Sequence, residues 1–224
     1  MLQFSKPNSK LRKLQDKIKK KVYSFDLLSG WTCPNADKCK SRVYQTDAGL
    51  RVKDGPNTWF RCFSASQEAL WSNVYNLRRK NTEFVKKYHS QPKKLVNFFQ
   101  SALPHDAEVV RFHVAGDFFS QNYMLAAIQL ARQNPHIIFY SYTKSVGNWV
   151  KLRRLAPDNF RTTVSIGGRQ DHLIDKTMKT VRVINNPDEQ KIWNLDIDDD
   201  DSHAYYNRTD FLLLIHGIQP KIEN

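Results

Sequence analysis

The residues of this 224-residue chain best suited to chemistry are its three cysteines, Cys33, Cys39 and Cys62. Three thiols are too few for a disulfide framework, and an odd number cannot pair fully. Thiolates are soft ligands suited to iron–sulfur clusters or zinc. Five residues separate Cys33 from Cys39, and 22 separate Cys39 from Cys62. C-x5-C is not a standard zinc spacing. All three fall within segment 29–63, directly after a predicted first strand at 22–28. That segment carries turn chemistry at 47–49 and 54–56, and long structured loops are usually functional. Three ligands beside an open position are what a catalytic metal centre needs. The three cysteines are therefore the expected metal ligands, with a [4Fe-4S] cluster as the first expectation and zinc as the alternative.

Other polar groups cluster where strands are expected to end. His113 and Asp117 flank Val114-Ala115-Gly116. Thr143, Lys144 and Ser145 follow the next predicted strand. Gly167, Gly168 and Arg169 follow another, with Asp171 and His172 close behind, and Ser202 and His203 follow an aspartate run. In parallel α/β folds the active site forms at the carboxyl ends of the strands. Asp117, Lys144, Arg169 and His203 are the expected catalytic residues. Gly116, Asp117 and Ser141 are expected to contact a cofactor.

These residues need elements to hold them. Leu11, Leu14, Ile18 and Val22 recur at helical spacing after Ser9, which predicts an amphipathic helix with a basic outer face. Ser64 and Gln67 form a capping-box pattern before a helix, with further helix over 82–88 and from Pro92 to Leu103. Beyond that, strands over 109–114, 137–142, 162–166, 179–184 and 211–215 alternate with helices over 123–132, 149–155 and 187–195. About six strands in this order predict an α/β fold with a parallel sheet, either a partial (β/α) barrel or an open doubly wound sheet. Residues 1–21 read as a basic N-terminal helix or arm and 22–224 as one α/β domain.

Composition bounds the remainder. Apolar residues make up 40% of the chain, enough for a core, and no run reaches the length of a membrane span. Secreted disulfide scaffolds, collagen-like chains and membrane proteins are excluded, and a reducing cytoplasm is the expected setting. The net charge of +13 is concentrated. One basic run covers residues 6–21 and a second covers 78–94, while acids gather at 196–201. Such runs bind phosphate backbones by releasing counterions. Lys13, Lys17, Lys20, Lys21, Arg78 and Arg79 are the expected contacts to nucleic acid or another anionic partner.

Several stretches resemble a bacteriophage family known as gene product 88. They include FDLLSGWTCPNADKC, FRCFSASQEA, RFHVAGDFFSQNYMLAAIQLARQNPHIIFYSYTKS, IGGRQDH, DDSHAY and LLLIHGIQP, and run from about Val22 to Pro220. For a phage protein the setting would be the host cytoplasm. More distantly, the order of features resembles radical S-adenosylmethionine (SAM) enzymes. Those have a (β/α)6 partial barrel, cluster cysteines in the loop after the first strand, and a glycine-rich segment ending in an acid after the second. That resemblance implies a cluster on Cys33, Cys39 and Cys62, with Asp117 near the SAM amine. The usual C-x3-C-x2-C spacing is absent, and Val43 stands near where some related sequences carry a cysteine. Lys144, Arg169 and His203 would face a nucleic acid or nucleotide substrate.

Three other readings are open at this point. The first is a non-catalytic nucleic-acid-binding protein with zinc held by the cysteines and His113 or His216. The second is a metal-dependent phosphodiesterase using Asp117, Asp171, His172, Asp199, Asp200 and His203. The third is a host-interaction protein without chemistry.

Overall fold

The computed structural model describes residues 1–219. The end of the predicted 22–224 domain, from Pro220 onward, lies outside the described residues. Six parallel strands curl into a half-barrel. They are β1 (Val22–Phe25), β4 (Val109–Phe112), β5 (Ile138–Thr143), β6 (Phe160–Ser165), β7 (Thr180–Ile184) and β8 (Phe211–Leu214), adjacent in that order. Strands β2 (Ser41–Thr46) and β3 (Gly49–Asp54) form a separate antiparallel hairpin. The helices are α1 (Ser9–Ile18), α2 (Phe63–Leu70), α3 (Ser72–Tyr88), α4 (Pro92–Ala102), α5 (Gln121–Gln133), α6 (Val146–Leu152), α7 (Glu189–Trp193) and α8 (Ser202–Tyr206).

Side chains alternate between the faces of a strand, and the two faces of this sheet have different jobs. Phe25, Val110, Phe112 and Phe139 point outward into the main core, against Leu95, Val96 and Phe99 of α4 and Tyr123, Met124 and Ala127 of α5. Their neighbours Val22, Val109, Tyr140 and Phe211 point to the concave side. There Leu11 and Leu14 of α1 and Ala204 and Tyr205 of α8 pack onto them. Burying each of these large apolar side chains contributes about 1.5–3 kcal/mol.

The concave side is also where the chain's opposite charges meet. Asp201, fully buried, receives Lys10 at 2.9 Å, the Arg111 guanidinium, and the hydroxyls of Tyr140 and Tyr142 at 3.0 Å each. Lys13 pairs with Asp199 and Lys17 with Asp200, both at 2.8 Å. The basic N-terminal run and the aspartate run are thus two halves of one contact. Residues 1–21 are not an arm apart from the domain: Leu11 and Leu14 are buried within it, and Ser5 bridges Ser24 of β1.

Local signals differ from expectation at two helix starts. Asn8, not Ser9, caps α1, its side chain accepting from Leu11 N. The Ser64–Gln67 capping box does not form. Cys62 occupies the cap position of α2, and Ser64 Oγ instead donates to Val114 O at 2.8 Å. Tertiary partners claimed both side chains, since Gln67 Oε1 accepts from Arg78.

Candidate functional site

The carboxyl end of β1 is built around Asp26. Its Oδ1 accepts from the N–H groups of Val114 and Ala115 at 2.6 and 3.2 Å, and its Oδ2 from Ser24 Oγ at 2.7 Å. This ties the turn after β4 to the start of the cysteine-bearing segment. Next, Ser29 donates from N and Oγ to the two oxygens of Glu68, at 3.0 and 2.8 Å, and Glu68 pairs with Arg78 at 3.2 Å. Both partners of that pair are buried. A buried ion pair stripped of one partner costs about 3–5 kcal/mol. Its position therefore clamps α2, and Cys62 at its start, against the loop that carries Cys33. Burial raises the Glu68 carboxyl above its ordinary value despite Arg78.

The loop then crosses the ends of the other strands. Ala36 bridges Gly168, Lys38 N donates to Gly167 O at 3.1 Å, and Arg169 N donates to Asn35 O at 2.9 Å. Asn35 Nδ2 reaches Ser145 Oγ at 3.2 Å. Gly30 turns the chain at φ 67°, where a Cβ would stand 2.0 Å from Ser41 O. Only glycine fits so close an approach. The segment expected to be loop thus contains the β2–β3 hairpin and a set of backbone bonds to the turn after β6, which hold the Cys33–Cys39 stretch at the carboxyl edge of the half-barrel, while Cys62 N donates to Ser41 Oγ at 3.2 Å.

Cys33, Cys39 and Cys62 are free thiols and half-buried. Burial pushes the Cys33 thiol well above its ordinary value, helped by Asp117, Cys62 and Cys39. Burial and then Cys39 push Cys62 up to about 11. The three sulfurs therefore lie within electrostatic reach of one another. Cations stand beside them. Lys40 Nζ donates to Cys33 O, and burial together with Arg42 and Arg169 lowers its pKa. Among the described residues, no three His, Cys, Asp or Glu side chains are grouped so as to hold a metal ion.

The other expected site residues have firm structural engagements. Asp117 is buried and its carboxylate accepts from Thr143 Oγ1 (2.6 Å), Phe118 N (2.7 Å) and Lys144 N (2.9 Å). Burial raises its pKa against these bonds. Gly116, at φ 88°, lets this turn lie against the cysteine loop, where a Cβ would meet Thr32 Oγ1 at 2.6 Å. Ser141 points to the helix-covered outer face, its Oγ 3.3 Å from Thr162 Oγ1, because its neighbours Tyr140 and Tyr142 point inward. It is not at the cysteine edge. Lys144 Nζ is spent on Ser165 O, Ser165 Oγ and Ile166 O, at 2.7–3.1 Å, bracing β5 to β6. Arg169 is exposed at the cysteine loop, 4.0 Å from Asp37. His203 lies on α8 against Phe211, between Asp196 and Asp198 at 3.6 and 3.7 Å. It belongs to the concave plug and not to the cysteine edge.

Of the expected nucleic-acid contacts, Arg78 alone is buried, and Lys13, Lys17 and Arg79 keep exposed side chains. Arg78 is buried on Glu68, Lys13 and Lys17 are engaged by the aspartates, and Arg79 pairs with Glu83 on the same helix. Lys20 is half-buried, and Lys21 is exposed at the end of the run. The phosphodiesterase set is dispersed: Asp171 closes a turn onto Gly167 N and Gly168 N, and Asp199 and Asp200 hold α1. His113 bonds the Tyr123 hydroxyl at 2.7 Å among Phe112 and Phe118, away from the thiols. His216 stacks on Phe63, next in chain to Cys62, with ring centroids 4.5 Å apart.

Fold and site together define an α/β half-barrel protein with a three-thiol face at the carboxyl edge of its sheet. The chain belongs to the gene product 88 family, which it matches over residues 2–222. No curated protein and no solved structure matches it. Among the described residues, no helix is long and apolar enough to cross a membrane.

Proposed function

We propose that the protein is an iron–sulfur protein of radical-SAM-like architecture, with Cys33, Cys39 and Cys62 holding a [4Fe-4S] cluster. The observation that carries this reading is the gathering of all three thiols, from one segment after β1, at the carboxyl edge of a sequentially ordered parallel half-barrel. The donor chemistry fits. Three soft thiolates suit iron, and a cluster spreads its ligand sulfurs farther apart than one zinc ion, which needs donors about 2.3 Å from a single point. Lys40, which lies within electrostatic reach of Cys33 and Cys39, would offset part of the negative charge that three thiolates bring. A bound cluster would supply one-electron redox chemistry.

The residues expected to receive SAM fit less well. Asp117 has its carboxylate occupied, Gly116 packs on Thr32, and Ser141 faces away. Asp117 is better read as the residue that positions the turn under Cys33 than as a SAM contact.

The test is anaerobic purification followed by iron and sulfide analysis and an absorbance spectrum. The expected result is about four irons per chain and a broad brown absorbance, both lost in Cys33→Ser and Cys62→Ser. A colourless protein without iron after anaerobic reconstitution overturns the reading.

A further inference from the structure

At the opposite end of the sheet from the cysteines, a cavity of about 820 Å³ opens between the starts of β6 and β7 and the end of α8. Its lining includes Arg154, Arg161 and Lys179 together with Trp149, Tyr206 and Asn207. One carboxylate, Asp158, is also part of it. Among the described residues, Arg154, Arg161 and Lys179 form no ion pair, whereas a fourth lining cation, Arg153, pairs with Asp175 at 2.9 Å. Arg161 donates to the carbonyl of Tyr205, and Lys179 Nζ donates to Asn207 Oδ1 at 3.0 Å. Both cations are thus aimed along the cavity wall by neutral oxygens.

This arrangement has a cost that its surroundings do not offset. Burial lowers the Lys179 ammonium to about 8, with Arg161 pushing the same way and Asp210 opposing. A concave surface of one sign focuses its field and concentrates counter-ions. The volume suits a ligand of nucleotide size, since such pockets run from about 300 to 1,000 Å³. Tyr206 is exposed, with Arg208 4.8 Å over its ring, and Trp149 is half-buried against Phe160. Cations beside aromatic rings are also the pairing that holds single-stranded nucleic acid, one by phosphate and the other by stacking.

We propose that this cavity binds a nucleoside phosphate, with Arg154, Arg161 and Lys179 on the phosphate and Tyr206 or Trp149 against the base. The ligand is either a free nucleotide or one unit of a single strand. The site shares no residue with the cysteine face, so this proposal and the cluster can fail separately.

The experiment is fluorescence anisotropy of the full chain with a fluorescein-labelled ten-residue oligothymidylate, with thymidine monophosphate and inorganic phosphate as competitors. The double variant Arg154→Gln/Lys179→Gln should weaken binding at least tenfold. Its salt dependence should also flatten by about 1.4 in log–log slope, at about 0.7 per lost strand phosphate contact. Lys179→Arg should retain binding, and Arg79→Gln should leave it unchanged. Near-ultraviolet circular dichroism checks that the double variant is folded. Competition by thymidine monophosphate at micromolar concentration assigns the site to free nucleotides, and binding of the strand alone assigns it to nucleic acid. Absence of binding by both probes overturns the proposal. So does equal binding by the folded double variant, or competition by inorganic phosphate as strong as by the nucleotide.

Discussion

Around Asp201, groups from α1, β4 and β5 converge on one buried carboxylate, and each brings a proton donor. Around Lys179, four cations line a cavity: Arg153 pairs with Asp175, while Arg161 and Lys179 meet only neutral oxygens. The two regions lie on one half-barrel and are joined by α8, yet they treat charge in opposite ways. Around the fully buried Asp201, the charge is matched within the chain, and the match holds α1 and α8 in the concave face. Where the surface opens, the match is left to something outside the chain. Burial alone would raise the Asp201 carboxyl, but Arg111 and Lys10 hold it well below the usual carboxylate range. No comparable partner offsets the burial of Lys179.

The comparison is broken most directly at its matched side. Asp201→Ala leaves Arg111 buried without a counter-charge and removes the acceptor of two tyrosine hydroxyls. Uncompensated buried charge costs about 3–5 kcal/mol. The expected outcome is a large fall in the urea midpoint, with Lys10 and α1 released from the concave face. A midpoint within error of the parent would show that the buried network contributes no net stability.

The reason this network was hidden in the sequence is physical. The strand–helix alternation from residue 109 onward was legible because each element keeps its own apolar period, and the predicted strands fall on the observed ones. The placement of the cysteine segment after β1 was also legible, since it follows from chain order. Charge pairing across 180 residues leaves no local signal. Lys13 and Lys17 read as contacts to an anionic partner because Asp199 and Asp200 lie over 180 residues away, and Arg78 did so because its partner Glu68 sits on the preceding helix. The occupied state of Asp117 and Lys144 was hidden for the same reason. Their partners come from the turn after β4, β5 and the end of β6, and only the sheet order brings those together. The basic cavity is made by residues spread from 149 to 207, mostly in short pieces of two or three. A faint signal was present in Arg153-Arg154, Arg161 and Lys179 sitting at predicted strand starts.

Acid sharpens the comparison by a smaller amount. His113 is buried with Nδ1 unpartnered, and burial plus Arg111 lowers its pKa to about 3. The unfolded chain, with an ordinary histidine near 6.5, binds a proton that the folded chain refuses. Stability is therefore lost as pH falls from about 6.5 toward 3, by about 3 kcal/mol at pH 4. Glu68 and Asp117, whose pKa values are raised by burial, work in the other direction. Comparing urea midpoints from pH 7 to 4 in the parent and in His113→Asn isolates the histidine. Asparagine tolerates the left-handed backbone at φ 74°, so the variant should show a flatter profile. An unchanged slope would assign the acid loss to other groups.

Gly116→Ala probes the turn beneath the cysteines. The new Cβ meets Thr32 and Leu27 and sits at a φ that alanine disfavours. A loss of about 2 kcal/mol is expected, together with reduced iron loading, because the displaced neighbour is next to Cys33. Stability lost with full iron content would separate the turn from the cysteine face.

The smallest effect comes from the unmatched side, and its sign carries the comparison. Lys179→Met removes a half-buried ammonium whose own pKa is lowered, and keeps an unbranched chain of similar reach. The ion is half-buried, so solvent screens part of its penalty, and the gain is about 1 kcal/mol or less. The folded chain holds this proton more weakly than the unfolded one. The penalty is thus present at neutral pH and fades as pH rises from about 8 toward 10.5. At pH 7 the variant should melt at or slightly above the parent's temperature while losing nucleoside phosphate binding. Its advantage should vanish at pH 10. A site that loses its ligand and gains stability by the same substitution is held for binding, because a structural cation behaves as Asp201 does. A destabilisation approaching that of Asp201→Ala would instead make Lys179 a structural partner of Asn207, and the two regions would no longer differ in kind.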